Sequence, residues 1–326
     1  MLAAVLKEPR RLEIEHREDP KDIPAGFVRV AVKSVGICGS DVHYYQEGRI
    51  GNFVVTQPMV LGHESAGVID GVGQGVPLKV GQIVALEPGI PCGQCLYCRT
   101  GDYNLCPDVK FFATPPINGA LQQYVVHPAS FTFPADGLIP SEACLAEPLS
   151  VGVYAVRRTN LSLGNEILIV GAGPIGLATA LAAESQGAHV MLTDINPERL
   201  AMARQIGFEA NPSQYYQQQF DAVFECTGSQ AGLSDAQRLV RSGGVIALIG
   251  MGQSAAHLDT LDMIARGIRT IGIFRYANTY PSAIALIRRH RQRLRVFQTN
   301  HISLSDLPQF LAQGQFIHHI KTIVNV

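Results

Sequence analysis

The sequence of 326 residues carries almost no net charge: 26 basic and 27 acidic residues leave −1, with a pI of about 6.8. Nothing in that balance favours nucleic acid or another polyanion as a partner. No apolar run reaches the roughly 18 residues that a membrane-spanning helix needs, so no membrane partner is expected. The opening Met1-Leu2-Ala3-Ala4-Val5-Leu6-Lys7 lacks a basic start followed by a long apolar core. A secretory signal is therefore not expected, and a cytoplasmic location is. No internal repeat and no low-complexity segment is visible. An even set of cysteines is missing too. There are seven, and four of them crowd into one stretch. That argues against a disulfide scaffold and for thiolates on a metal in a reducing compartment.

What is present centres on residues 167–194. Ile167 to Val170 form a short apolar run that suits a buried parallel strand. A Gly-x-Gly-x-x-Gly turn follows at Gly171, Gly173 and Gly176, then an Ala- and Leu-rich helix from Leu177 to Gln186, with Gly187 placed to end it. A second apolar strand, Val190 to Leu192, stops just before Asp194. This is a βαβ start with an acid after the second strand, the arrangement that binds dinucleotides. Gly171 permits a tight turn, Gly173 lets the backbone approach a pyrophosphate, and Gly176 lets the helix pack on the strand. The helix N-terminus faces the phosphates. Asp194 accepts hydrogen bonds from ribose hydroxyls and repels a 2′-phosphate, so NAD is expected over NADP. The expected cofactor residues are Gly171, Gly173, Pro174, Ile175, Gly176, Asp194 and Arg199. The plain alternative is a glycine-rich loop without a ligand; the two strands, the helix and the acid together weigh against it.

Ahead of this unit the chain reads as short strands between glycines and prolines. Val28 to Lys33 alternates as a half-buried strand, and Gly67–Asp70 and Gln82–Leu86 are similar runs. A β-rich domain of the distorted-barrel kind fits this spacing. Around Glu147-Pro148-Leu149-Ser150 the pattern turns helical. After the nucleotide unit, Ala222–Cys226, Val245–Ile249 and Arg269–Phe274 read as further buried strands that extend a parallel sheet.

Two clusters carry chemistry. Cys38-Gly39-Ser40-Asp41-Val42-His43 and Gly62-His63-Glu64 bring a thiolate, an imidazole and a carboxylate, which suit a catalytic zinc with an open position. Glu147 either supplies a further oxygen ligand or holds the bound water. The alternative is a buried structural cysteine and a satisfied histidine, which is the better reading for His63 taken alone. The second cluster, Cys92, Cys95, Cys98 and Cys106, has the spacing C-x-x-C-x-x-C-x7-C. Four thiolates close a tetrahedral zinc site with no open position, so its expected role is structural. The loop carries too little basic charge for a nucleic-acid ribbon.

With these motifs in place, the chain resembles the zinc-dependent medium-chain dehydrogenases, and among them the sorbitol (polyol) and xylitol dehydrogenases. The strings that carry the resemblance are Gly36-Ile37-Cys38-Gly39-Ser40-Asp41-Val42-His43-Tyr44, Gly48-Arg49-Ile50-Gly51-Asn52-Phe53, Pro58-Met59-Val60-Leu61-Gly62-His63-Glu64, Phe112-Ala113-Thr114-Pro115-Pro116, Glu147-Pro148-Leu149-Ser150-Val151-Gly152 and Phe274-Arg275-Tyr276. The resemblance implies an α/β protein: a GroES-like catalytic domain from residues 1–150 and 281–326, around a Rossmann doubly wound parallel-sheet domain from 151–280. It implies a catalytic zinc on Cys38, His63 and Glu64, with Glu147 on the metal or its water, and a structural zinc on Cys92, Cys95, Cys98 and Cys106. Ser40 and His43 begin the proton relay. Tyr44, Phe112, Thr114, Arg275 and Tyr276 line the polyol site, and Lys321 approaches the cofactor phosphates. The implied reaction is NAD-dependent interconversion of a polyol and a ketose, in a homotetramer. Threonine- or butanediol-type alcohol oxidation is the nearest alternative, and a non-catalytic nucleotide-binding protein the more distant one. Gly207 to Asp221 is shorter than the family pattern, which puts one strand–helix segment in doubt. Cys144 and Cys226 are read as small buried apolar residues. The basic run Arg288-Arg289-His290-Arg291-Gln292-Arg293-Leu294-Arg295 is read as a solvated face or a subunit contact rather than a phosphate site, and Arg275 equally as a structural ion-pair residue.

Overall fold

Strand Phe27–Gly36 buries Val28, Val30 and Val32 and turns Arg29, Ala31 and Lys33 outward, as a period of two requires. Past Lys33 the alternation stops, and Ser34, Val35 and Gly36 are all buried. The reason lies in its partners. Glu64–Val72 runs antiparallel along one edge, Tyr124–Pro128 along the first half of the other, and the C-terminal Lys321–Asn325 along the last residues. The computed structural model describes the whole chain except Gln218, Gln253 and Ser254, and the side chains of Gln298, Thr299, Ile317 and His318.

The chain divides into two units, Met1–Glu147 with Ile287–Val326, and Pro148–Leu286. The first holds a seven-stranded sheet that runs Thr132–Pro134, Ile83–Leu86, Glu64–Val72, Phe27–Gly36, Lys321–Asn325, Gln298–Ser303, with Tyr124–Pro128 beside Phe27–Gly36. A small sheet of Arg11–His16, Leu2–Glu8 and Met59–Val60 accompanies it. Val30, Val35, Leu61, Ile69, Leu86 and Leu121 are fully buried in the common core. Each such side chain contributes about 1.5–3 kcal/mol over its exposed state. The two terminal parts of this unit are far apart in sequence, so no local pattern announces their pairing.

In the second unit Glu166–Val170 is buried along nearly its whole length, the mark of a central parallel strand. Six strands, all parallel, lie in the order Glu209–Ala210, His189–Thr193, Glu166–Val170, Phe220–Glu225, Val240–Leu248, Arg269–Gly272. This is the doubly wound order, in which the sheet reverses direction of growth beside its first strand. Helix Pro174–Ser185 ends in a Schellman motif. Gly187 takes φ +84° and donates to the Glu184 carbonyl at 2.9 Å, and Ala188 donates to that of Ala183 at 3.2 Å. The short Gly207–Asp221 segment keeps its strand but reduces its helix to the single turn Ser213–Tyr215. Tyr216 fills the space. Its hydroxyl donates to the Leu192 carbonyl at 2.9 Å, and its ring stands edge-on to Phe220.

Candidate functional site

The first cluster forms where two strands end. Cys38 follows Gly36 at the end of its strand and caps helix Gly39–Glu47, while His63 and Glu64 lead into the neighbouring strand, with Glu64 directly opposite Gly36. A side chain there would displace the Glu64 carboxylate, since a Cβ on Gly36 would stand 2.1 Å from Glu64 Oε2. Asp41 ties the two loops together. Its carboxylate accepts from the Cys38 amide at 3.0 Å and from the Gly62 amide at 2.9 Å. The donor atoms of Cys38, His63 and Glu64 all lie within 4.8 Å of one another. Glu147, in the first turn of helix Ala146–Thr159, is buried but falls outside that set.

The residues fit a metal ion. Glu64 is 1% exposed, Lys321 donates to its Oε1 at 2.6 Å, and its Oε2 has no hydrogen-bond partner. A buried carboxylate oxygen without a partner is costly, and a cation beside it removes the cost. The pocket also draws positive charge. Burial opposes a charged His63, yet Asp41, Cys38 and Glu147 outweigh it and raise the imidazole to about 10. Nitrogen, sulfur and oxygen donors, three from the protein, are the set of a catalytic zinc with an open fourth position.

The second cluster is local. Cys95 caps the short helix Leu96–Thr100, and Gly93 and Gly101 turn the chain with φ of +77° and +89°. Cys95 and Cys98 sulfurs are 3.4 Å apart and Cys92 and Cys98 sulfurs 3.9 Å, and all four sulfurs lie within 4.8 Å of one another. Tetrahedral zinc with bonds of about 2.3 Å separates its sulfurs by about 3.8 Å. Backbone amides of Gln94 and Cys95 point at the Cys92 sulfur and lower it to about 7, while burial pushes Cys98 up to about 12. Cys92 is thus predisposed to be a thiolate, and a cation beside Cys98 would draw off its proton. The loop is closed at its base by Gly89–Ile90 pairing with Lys110–Phe111. From that base the Phe111 ring reaches the His63 ring at 5.8 Å. Tyr103, also in the loop, donates to the buried Glu87 carboxylate at 2.7 Å.

In the second unit, Gly171 has φ +101°, and a Cβ on Gly176 would stand 1.8 Å from the Gly171 carbonyl, so neither tolerates a side chain. Gly173 differs. A Cβ there would meet only Arg199 Nη1, at 3.8 Å, so protein packing does not require glycine. The open space is what close approach of a phosphate needs. Gly173 caps helix Pro174–Ser185, and the amides of Ile175 and Gly176 lack intrahelical acceptors by position. Asp194 holds this loop: its Oδ2 accepts from the Ala172 amide at 2.7 Å and its Oδ1 from Asn196 at 2.8 Å. Each oxygen keeps a second lone pair. Arg199 Nη1 stands 3.9 Å from the same carboxylate.

Comparison with known proteins agrees with this geometry. Residues 24–137 match the alcohol dehydrogenase GroES-like domain, and residues 174–289 the zinc-binding dehydrogenase domain. Sorbitol dehydrogenase of Bacillus subtilis is 43% identical over 303 residues, covering 88% of this chain and 86% of that protein. The chain belongs to the zinc-binding medium-chain dehydrogenases. Human sorbitol dehydrogenase is 40% identical, covering 88% of this chain and 85% of its own. The crystal structure of Escherichia coli L-idonate 5-dehydrogenase superposes with a TM-score of 0.93 at 27% identity, covering 100% of this chain and 98% of that one.

The other expected residues of this dehydrogenase fall in both units. Tyr44 and Phe112 are buried and Thr114 half-buried in the first. Phe112 packs on His127 with ring centres 5.0 Å apart. Ser40 is half-buried in the first turn of its helix, and His43 is exposed, 3.9 Å from Glu47. Arg275 and Tyr276 belong to the second unit. Arg275 has φ +52° and lies over the Phe274 ring at 4.8 Å, and Tyr276 is buried against Tyr280. Lys321 requires a correction. It is 3% exposed, and its ammonium is held by Glu64 and by the Ile37 carbonyl at 3.1 Å, because the C-terminal strand pairs beside Gly36. The expectation that it approaches cofactor phosphates is replaced by a role beside the metal donors. The sequence reading also passed over Asp41, Glu87 and Phe111. Only Asp41 had a signal, an acid three residues past the residue that caps a helix.

Proposed function

We propose that this chain is a zinc- and NAD-dependent polyol dehydrogenase that interconverts a secondary hydroxyl of a linear polyol and a ketose. The observation that carries the reading is the Cys38–His63–Glu64 set, with His63 and Glu64 buried and Glu64 Oε2 unpartnered, in a chain similar to sorbitol dehydrogenases. When bound, zinc supplies Lewis acidity toward the alcohol oxygen, and NAD supplies a hydride acceptor. Cys38, His63 and Glu64 hold the metal, and Glu147, outside that donor set, orients water or substrate hydroxyl beside it. Ser40 relays the alcohol proton, accepting it as its own hydroxyl proton moves on, and His43, one helical turn on and 56% exposed, passes a proton to solvent. Asp194 receives the ribose hydroxyls on its remaining lone pairs and disfavours a 2′-phosphate. Tyr44, Thr114, Arg275 and Tyr276 meet the substrate hydroxyls, and Phe112 supplies an apolar wall. A site built of such groups rejects a simple alcohol that leaves them unpaired.

Cys92, Cys95, Cys98 and Cys106 hold a second zinc whose role is structural, and the working form is a cytoplasmic homotetramer, as the family resemblance suggests. The test is NADH production by purified protein on sorbitol, xylitol, iditol, galactitol, threonine and 2,3-butanediol, repeated with NADP. Turnover of at least one polyol, well above threonine and butanediol and favouring NAD, is expected. Oxidation of threonine or butanediol alone would keep the fold and the metal and discard the polyol.

A further inference from the structure

Arg288 to Arg295 places five arginines and a histidine within eight residues of a chain whose net charge is −1. Helix Tyr280–Arg289 stops at His290, which takes non-helical dihedrals, and the four-residue helix Arg291–Leu294 follows. The turn gathers the run around one depression of about 440 Å³, lined by its arginines, His290 and Gln292 and by no carboxylate. Leu294 alone of the run is buried and anchors it from beneath.

Two of the arginines are tethered. Arg288 donates to the Asp136 carbonyl at 3.0 Å, and Arg291 pairs with Glu142 at 2.5 Å. Both contacts lie within the first unit, to which the run itself belongs. Among the described residues, Arg289 and Arg295 make no ion pair. Guanidinium groups stay charged at any working pH, so their mutual repulsion cannot be relieved by losing protons. It is relieved by a counter-ion. A solvated basic face, the expectation from sequence, would spread its charges over a convex surface. Here they converge on a hollow of the size that small ligands occupy.

We propose that this hollow is a binding site for a small phosphate-bearing anion, separate from the metal cluster and from the glycine loop of the second unit. Guanidinium forks match phosphate oxygens two at a time, and a dianion neutralises two of them at once. A neutral polyol gains nothing there. The proposal does not depend on the reaction assigned above, since it rests on residues with no part in it.

Calorimetric titration with inorganic phosphate and with pyrophosphate, at constant ionic strength, tests it. Saturable binding is expected, tighter for pyrophosphate, and weakened at least about tenfold in the R289A/R295A double variant. R289K/R295K, which keeps the charge without the fork, retains part of the affinity. K21A/K79A, which removes two exposed charges elsewhere, leaves it unchanged. If the alanine variant fails to fold, the lysine pair against wild type carries the comparison. Equal affinity in wild type and R289A/R295A, equal losses in R289A/R295A and K21A/K79A, or binding of heparin without binding of either phosphate would overturn the proposal.

Discussion

The two cysteine-bearing clusters of the first unit solve opposite problems. The four-cysteine loop takes every donor from residues 92–106, is half-exposed, and offers four sulfurs and no other donor. The Cys38–His63–Glu64 set draws on separate loops, buries its carboxylate, and relies on Asp41 and Lys321 to hold the donors. The first is closed by local geometry; the second is left open by tertiary structure. What differs is the supporting cast, and it teaches that an open metal site is costlier to build than a closed one. It needs a glycine that makes room, a buried cation that balances charge, and a strand from the far end of the chain.

The largest effect expected from this contrast falls on turnover. Cys38→Ser should lower polyol oxidation roughly a thousandfold in protein that still folds, because several kcal/mol of charge stabilisation are lost at one atom. Steady-state kinetics with a melting curve on the same sample reads both. Next is Lys321→Met, which strands the Glu64 charge in the interior. Chelator-treated protein should lose about 3–5 kcal/mol in denaturant unfolding, and adding Glu64→Gln should restore part of it. Independent, additive losses would separate Lys321 from the site.

Cys95→Ser should do the reverse of Cys38→Ser. It opens the closed loop, lowers the thermal midpoint by about 5 °C or more, and leaves turnover measurable at low temperature. The smallest effect concerns Glu87, which the loop reaches through Tyr103. Burial chiefly, with Glu147 adding and Tyr103 opposing, raises its carboxyl from 4.5 to about 7. The folded state therefore holds this proton more tightly than the unfolded chain, and stability falls as pH rises between those two values. Glu87→Gln keeps an acceptor for Tyr103 and removes the titration. Its thermal midpoint, relative to wild type, should climb between about pH 5 and about pH 8. A constant difference would mean that Glu87 is already ionised at low pH.

The same contrast explains what was legible in the sequence. The closed loop could be read from spacing alone, and the glycine turn likewise, because Gly171 answers to its own positive φ and Gly176 to the nearby Gly171 carbonyl. The parallel strands were visible as apolar runs. Cys38, His63 and Glu64 could be proposed as a group by residue type, but not their support. Lys321 acts on Glu64 across a separation of 257 residues, which no local pattern encodes. From sequence Asp194 reads as a ribose acceptor, while its bonds to Ala172 and Asn196 emerge only from the folded loop. In Arg288–Arg295 the charge was plain, but the hollow depends on a helix that breaks at His290.

Zinc per chain, measured together with turnover on purified wild type, Cys38→Ser and Cys95→Ser, tests the central claim most directly. The account predicts more than one zinc in wild type, approaching two, and one fewer in each variant, with turnover abolished only in Cys38→Ser. One zinc or less in wild type, or loss of turnover in a Cys95→Ser protein that melts like wild type, would contradict it.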